Sequence, residues 1–86
     1  MLRNMEHNLP TLDLHGEDRI HAVMLVEEFL NDQYSLHNEY LRIVHGIGSG
    51  ILRREVTAYL KKHPLVVDVH LDMFNEGCTN VKIKKG

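Results

Sequence analysis

The sequence predicts an α/β protein of two layers, a four-stranded mixed sheet with two helices on one face. Four short segments have the alternation or the β-branched composition of strands, and two longer segments carry a single apolar stripe at helical spacing. The elements follow one another in the order β-α-β-α-β-β. Because each helix has one apolar stripe, both helices are expected to pack on the same side of the sheet.

The first strand and the first helix are predicted from the first half of the chain. In "TLDLHG" (11–16), Leu12 and Leu14 alternate with polar residues up to a glycine, which is typical of a half-buried strand. The segment "EDRIHAVMLVEEFLNDQYSLHN" begins with two acidic residues, which suit the positive end of a helix dipole. Its apolar stripe consists of Ala22, Leu25, Val26, Phe29 and Leu30.

The second half predicts one more helix and three more strands. "YLRIVHG" (40–46) is a strand by its β-branched and aromatic composition, and "ILRREVTAYLKKH" (51–63) is a helix that ends before Pro64. A strand–helix–strand unit of this length predicts a right-handed crossover between parallel strands. "LVVDVHLD" (65–72) and "TNVKIKK" (79–85) are joined by a short turn, so they are expected to pair antiparallel. The second helix has its stripe at Leu52, Val56, Tyr59 and Leu60.

Length and composition limit the class of protein. The 86 residues suffice for one domain, predicted at 11–86 after an N-terminal arm at 1–10. The net charge of −2 means that any nucleic-acid binding must come from a local basic patch. A single cysteine, Cys78, excludes an internal disulfide and a cysteine-based zinc site. With no long apolar run and no secretory signal, we expect a cytoplasmic protein without a membrane partner.

The first two predicted strands end in similar sequence motifs, "DLHG" (13–16) and "VHG" (44–46). If these strands are parallel, both ends emerge at the edge of the sheet where ligands of open α/β sheets bind. His15 and His45 are therefore expected to lie near each other. Asp13 shares a face with His15, because side chains two residues apart in a strand point the same way.

The glycine-rich loop before the second helix is a candidate phosphate site. Its backbone N–H groups and the helix N-terminus could together bind an anion. Arg53 and Arg54 fall in the first helical turn, where positive charge opposes the helix dipole, and this favours a use outside the helix. The loop matches neither the Rossmann pattern, which needs a glycine at Ile51, nor the P-loop. A purely structural turn is the alternative.

Taken together, "LDLHG", "HGIGSGILR" and "YLKKHPLV" resemble the Smr (small MutS-related) domain family, over essentially Thr11 to Lys85. "EGCTNVKIK" is a looser match to the last strand of the family. The resemblance implies a two-layer fold similar to the C-terminal domain of bacterial translation initiation factor three. It also implies nucleic-acid binding and an endonuclease activity that nicks DNA or cleaves RNA. The motif residues of the family fall here on Asp13, His15, His45, Gly46, Gly48, Gly50 and Arg53.

The enzyme hypothesis assigns a role to each of these residues. Asp13, His15 and His45 are the expected catalytic group, with the two histidines sharing acid and base work and Asp13 orienting a histidine. No metal-ligand set is recognised, and a divalent cation such as Mg²⁺, held by Asp13 through water, is the one cofactor left open. DNA and RNA are both candidate partners, and a monomer is favoured. The expected phosphate-binding residues are Gly46, Gly48, Ser49, Gly50, Arg53 and Arg54.

Two hypotheses without catalysis stand beside it. The same surface would serve a module that only binds a nucleic-acid backbone or a phosphorylated partner. Alternatively, the sheet face opposite the helices would bind a protein. That face has no predicted pair of aromatic residues on which bases could stack, so recognition by shape or backbone is expected. Its predicted members are His15, Asp68, His70, Lys82 and Lys84.

Overall fold

The computed structural model describes residues 9–86, and it has the predicted class and order of elements. The prediction of a four-stranded mixed sheet with two helices is confirmed. Most of the predicted arm at 1–10 lies outside the described residues, although the Pro10 carbonyl accepts a hydrogen bond from Arg42 N (2.9 Å). The elements are β1 (Thr11–Asp13), α1 (Arg19–Ser35), β2 (Tyr40–Val44), α2 (Ile51–Lys62), β3 (Val66–Leu71) and β4 (Cys78–Ile83).

The sheet has the strand order β1-β2-β4-β3. β1 pairs parallel with β2, and β4 pairs antiparallel with both β2 and β3, so the predicted parallel and antiparallel pairs are confirmed. The last strand along the chain therefore lies between two earlier ones. Strand β1 is shorter than the predicted 11–16, because the chain turns after Leu14, whose carbonyl accepts from Glu17 N (3.0 Å).

The core lies between the sheet and the two helices. Alternate residues of the strands face it, including Leu41 and Ile43 of β2 and Val81 and Ile83 of β4. The helices contribute the central positions of the predicted stripes, while Leu25, Phe29, Leu52 and Tyr59 are only partly buried. The buried helical residues are Ala22, Val26, Leu30, Val56 and Leu60.

A hydrogen-bond cluster joins the two helices at the end of the molecule where α2 terminates. Glu27 on α1 accepts from the Tyr59 hydroxyl and from Nε2 of His63 (2.7 Å). Hydrogen bonds from Tyr59, Asn31 and His63 lower the pKa of Glu27 to about 2. Burial first, and then the bond to Glu27, raises the pKa of Tyr59 to about 12. Leu65 N donates to Nδ1 of His63 (3.1 Å), so the ring proton of this histidine lies on Nε2.

The other face of the sheet is open and polar. Pairing of Tyr40 with Lys82, and of Lys82 with Asp68, places these residues in one row across β2, β4 and β3. His70 pairs with Asn80 in the next row of this face, whereas Lys84 falls beyond the end of β4. Lys82 Nζ lies 5.6 Å from the centre of the Tyr40 ring. Among residues 9–86, neither helix combines the length and the apolar character that crossing a membrane requires.

Candidate functional site

Two loops that follow the neighbouring parallel strands enclose a cleft of about 410 Å³. One wall is formed by residues 15–19 and the other by residues 45–53. The walls face each other because β1 and β2 run parallel with Asp13 opposite Val44, so both chains leave the sheet at one edge. The structure thus brings the two His-Gly segments together, as their topology predicts.

At the start of the first wall, His15 forms an exposed hydrogen-bonded pair with Asp13 of β1. Asp13 Oδ1 accepts from both the backbone N–H (3.1 Å) and Nδ1 of His15 (2.7 Å). The side-chain bond is the largest cause of both pKa shifts, which lower the pKa of Asp13 and raise the pKa of His15. The bond fixes the ring proton on Nδ1, and Nε2 has no hydrogen-bond partner among the described residues. The imidazole, 75% exposed, is therefore oriented and open at its outer nitrogen.

On the second wall, His45 is buried, with 4% of its surface exposed. Nδ1 donates to the Gly46 carbonyl (2.9 Å), because a carbonyl can only accept. In the neutral ring, Nε2 then accepts from the hydroxyl of Thr79 (2.8 Å) on β4. Both ring nitrogens are thus occupied by the protein. His45 nevertheless lines the cleft, and the expectation that it shares proton transfer with His15 stays a prediction.

The loop after His45 depends on the conformational freedom of glycine. Gly46, Gly48 and Gly50 have φ angles of +83°, +28° and +84°, which side chains disfavour. A side chain at position 46 would also approach the Cβ of His15 to 3.7 Å. The glycines therefore form the close turn and leave the backbone uncovered beside His15.

The β3–β4 turn anchors this loop. The carbonyl of Gly77 accepts from both His45 N (2.9 Å) and Gly46 N (3.0 Å). The turn is itself shaped by Asp72, which accepts from Phe74 N (2.8 Å) and Asn75 N (3.1 Å). The start of the glycine loop is therefore tied to β4 and its turn as well as to β2.

Helix α2 begins at this loop with its first N–H groups uncapped. Its N-cap residue, Gly50, makes no side-chain cap bond, and no acidic residue occupies the first turn. The nearest substitute is a long contact from Ile51 N to Ser49 Oγ (3.4 Å). By contrast, α1 is capped by Asp18, which accepts from His21 N (2.8 Å). The start of α2 has the free donors and the positive dipole end that bind anions.

The two arginines of the first turn of α2 have different surroundings. Arg53 lines both the cleft and a neighbouring groove between α2 and β3, whereas Arg54 lines the groove. Neither forms an ion pair among residues 9–86. The carboxylates beside the cleft have partners, since Glu17 bonds His21 (2.6 Å) and Asp18 caps α1. Arg53 is thus a positive side chain of the cleft without an ion-pair partner among the described residues, whereas Arg19, which also lines the cleft, lies 4.0 Å from Glu55.

The residues of the cleft do not form a preassembled metal site. Among the described residues, no group of three histidine, cysteine or acidic side chains is placed to hold a metal ion. The carboxylate of the predicted catalytic group, Asp13, accepts a hydrogen bond from His15 through Oδ1.

Two contributors to the site were absent from the residues selected by sequence. Thr79 fixes the ring of His45, and Gly77 binds the backbone of the glycine loop. Both come from the β3–β4 hairpin, which is distant in sequence from both motifs. The burial of His45 could have been predicted from the sequence, because residues 41, 43 and 45 share one face of the strand and that face carries the apolar residues Leu41 and Ile43.

Comparison with known proteins identifies the family. The family model described as "Smr domain" matches residues 12–84, and the chain belongs to this family. It is 35% identical over 80 residues to Endonuclease MutS2 of Clostridium perfringens, covering 93% of this chain and 10% of that protein. It is 38% identical over 72 residues to Endonuclease MutS2 of Agathobacter rectalis, covering 84% of this chain and 9% of that protein. The chain thus spans about a tenth of the length of these relatives.

Solved structures share the fold. The Smr domain of Thermus thermophilus MutS2 superposes with a TM-score of 0.86 at 25% identity, covering 88% of this chain and 99% of that one. YdaL, a stand-alone small MutS-related protein from Escherichia coli, gives a TM-score of 0.82 at 19% identity, covering 87% and 64%. The SMR domain of NEDD4-binding protein 2 gives 0.68 at 24% identity, covering 91% and 88%.

Proposed function

We propose that this Smr domain binds DNA or structured RNA and hydrolyses a phosphodiester bond of it in the cleft. The observation that carries the proposal is the Asp13–His15 pair, whose imidazole lines the same cleft as an uncapped helix N-terminus and a glycine loop. The relatives named Endonuclease MutS2 support the same class of reaction.

The scissile phosphate is proposed to bind at the start of α2. The N–H groups of the first helical turn donate to its oxygens, and the absence of side chains at Gly48 and Gly50 leaves room for them. Arg53 adds a charged hydrogen bond from the same turn, and Ser49 adds a hydroxyl. These donors stabilise the negative charge that grows on the phosphate oxygens in the transition state.

His15 is proposed as the group that transfers the proton. In hydrolysis, the oxygen of water bonds to phosphorus as one ester P–O bond breaks. Nε2 of protonated His15 gives its proton to the departing sugar oxygen, and the attacking water gives a proton to solvent. The products are a hydroxyl end and a phosphomonoester end. Asp13 favours this role, because its hydrogen bond raises the pKa of His15 and so keeps the ring protonated to higher pH.

His45 is proposed as a positioning residue. Its ring holds the Gly46 carbonyl and is held by Thr79, so it fixes the direction in which the loop leaves β2. Loss of the ring is expected to lower both stability and cleavage. Loss of His15, an exposed ring, is expected to lower cleavage alone.

A nicking assay tests the proposal. Supercoiled plasmid and a structured RNA are incubated with the parent and with His15→Asn, each with and without Mg²⁺. The matched control is His37→Asn, which makes the same replacement at an exposed site after α1, where φ is +64° and asparagine is well tolerated. We expect cleavage by the parent and the control and at least a 100-fold loss in His15→Asn. If the parent binds nucleic acid but produces no strand breaks, the proposed hydrolysis is wrong and the domain is a binding module.

A further inference from the structure

A second groove lies beside the cleft, between helix α2 and strand β3, with a volume of about 450 Å³. Arg54, Thr57 and Lys61 line it from the helix, and none of the described residues that line it is acidic. Arg53 lines both the cleft and this groove, so the two adjoin at this side chain. A local surface of this charge stands out in a chain whose net charge is −2.

Two cations of the groove, with a threonine between them, lie along one face of α2. Arg54, Thr57 and Lys61 are separated by three and four residues, which is the spacing of neighbours on a helix surface. At 1.5 Å per residue, Arg54 and Lys61 lie about 10 Å apart along the axis. Neither forms an ion pair among residues 9–86.

Two carboxylates that are next to groove residues in sequence have partners of their own. Glu55, next to Arg54 in sequence, lies 4.0 Å from Arg19 on α1. Asp68 on β3 accepts from Nδ1 of His70 (3.1 Å). The arginine and lysine side chains of the groove are therefore left to a ligand with regularly spaced negative charges.

We infer that this groove binds the phosphodiester backbone of the same nucleic acid that enters the cleft, at phosphates a few nucleotides from the scissile one. The inference rests on the proposed function and adds the path of the strand: from the start of α2, past Arg53, along Arg54 and Lys61. The contact is to backbone phosphates, so it adds affinity without sequence preference.

The test measures how affinity depends on salt. A fluorescein-labelled single-stranded DNA is titrated with parent protein, with Arg54→Gln/Lys61→Gln, and with the control Lys62→Gln/Lys85→Gln. The control removes the same charge, and its Lys62 is the sequence neighbour of Lys61 but lines a different cleft, near Glu27. Two lost phosphate contacts are expected to reduce the slope of log K against log salt by about 1.4. At 0.1 M salt this corresponds to about 25-fold weaker binding, whereas the control is expected to match the parent.

The outcomes separate the two proposals. If the groove variant and the control bind alike and share one salt slope, the groove is not a backbone site, while the proposed function stands. If the parent binds neither this strand nor duplex DNA or RNA at low salt, both proposals are overturned. Thermal denaturation of each variant serves as the check of folding, and since the four substituted side chains are solvent-facing, Tm is expected to stay within about 2 °C of the parent.

Discussion

Thr79→Val tests the link between strand β4 and the glycine loop. The change keeps the shape of the side chain but removes the hydroxyl that donates to Nε2 of His45. Thr79 is 1% exposed and His45 is 4% exposed, so water cannot replace the lost donor. A buried acceptor left without a partner costs about 1–3 kcal/mol. In a domain of this size, a cost of about 2 kcal/mol lowers Tm by about 8–16 °C.

The assays are thermal denaturation followed by circular dichroism, and nicking of supercoiled plasmid. Thr79→Ser keeps the hydroxyl and loses one methyl group, so it is expected to lose about 1 kcal/mol of stability and to retain cleavage. Thr11→Val makes the same replacement at an exposed residue of β1 and is expected to change stability by less than about 0.5 kcal/mol. A Tm for Thr79→Val equal to that of Thr11→Val would refute the assigned hydrogen bond and the anchoring role built on it.

Three further predictions concern pH and backbone conformation. Because Asp13 raises the pKa of His15, cleavage by the protonated ring should fall as pH rises through that raised pKa. Asp13→Asn should move this fall to lower pH in a pH–rate profile. An unmoved profile would argue against His15 as the acid. The pKa of Glu27 is lowered to about 2, so its stabilisation is present above pH 4.5 and lost as pH falls toward 2. Glu27→Gln should therefore lower the free energy of unfolding, measured by urea denaturation, by about 1 kcal/mol at pH 7 and by almost nothing near pH 2. The figure at pH 7 is reduced because the Glu27 side chain is 47% exposed. A difference between variant and parent that is the same at both pH values would contradict the lowered pKa of Glu27. Gly46→Ala places a side chain at a φ of +83° and should cost about 1–2 kcal/mol, measured by Tm, with unchanged stability as the contrary result.

The sequence predicted which segments meet, because topology follows from local patterns. Two amphipathic helices between short strands imply parallel crossovers, and parallel strands deliver their ends to one edge. That reasoning is enough to predict that "DLHG" and "HGIGSG" lie together. The pairing of Asp13 with His15 was equally accessible, since residues two apart on a strand share a face.

The two motifs alone do not predict the different environments of their histidines. His15 and His45 each precede a glycine at the end of a strand, yet one is exposed and the other buried. The cause is the alternation of side chains along a strand. His15 directly follows Leu14, which faces the core, so His15 points away from the core. His45 comes two residues after Ile43, which faces the core, so His45 points toward it. The partner of the buried ring, Thr79, was beyond prediction, because pairing of β4 with β2 joins residues that are 34 apart in the chain.

The position of β4 has a consequence for the order in which the molecule can be built. The ribosome synthesises residues 78–83 after every other strand, yet they occupy the space between β2 and β3. Until they emerge, β3 has no neighbour in the sheet, the Gly77 carbonyl has no fixed place and His45 lacks its hydroxyl partner. A nascent chain can therefore carry both motifs and still have no formed cleft. The strand that completes the sheet also brings the two groups, Gly77 and Thr79, that hold the start of the glycine loop.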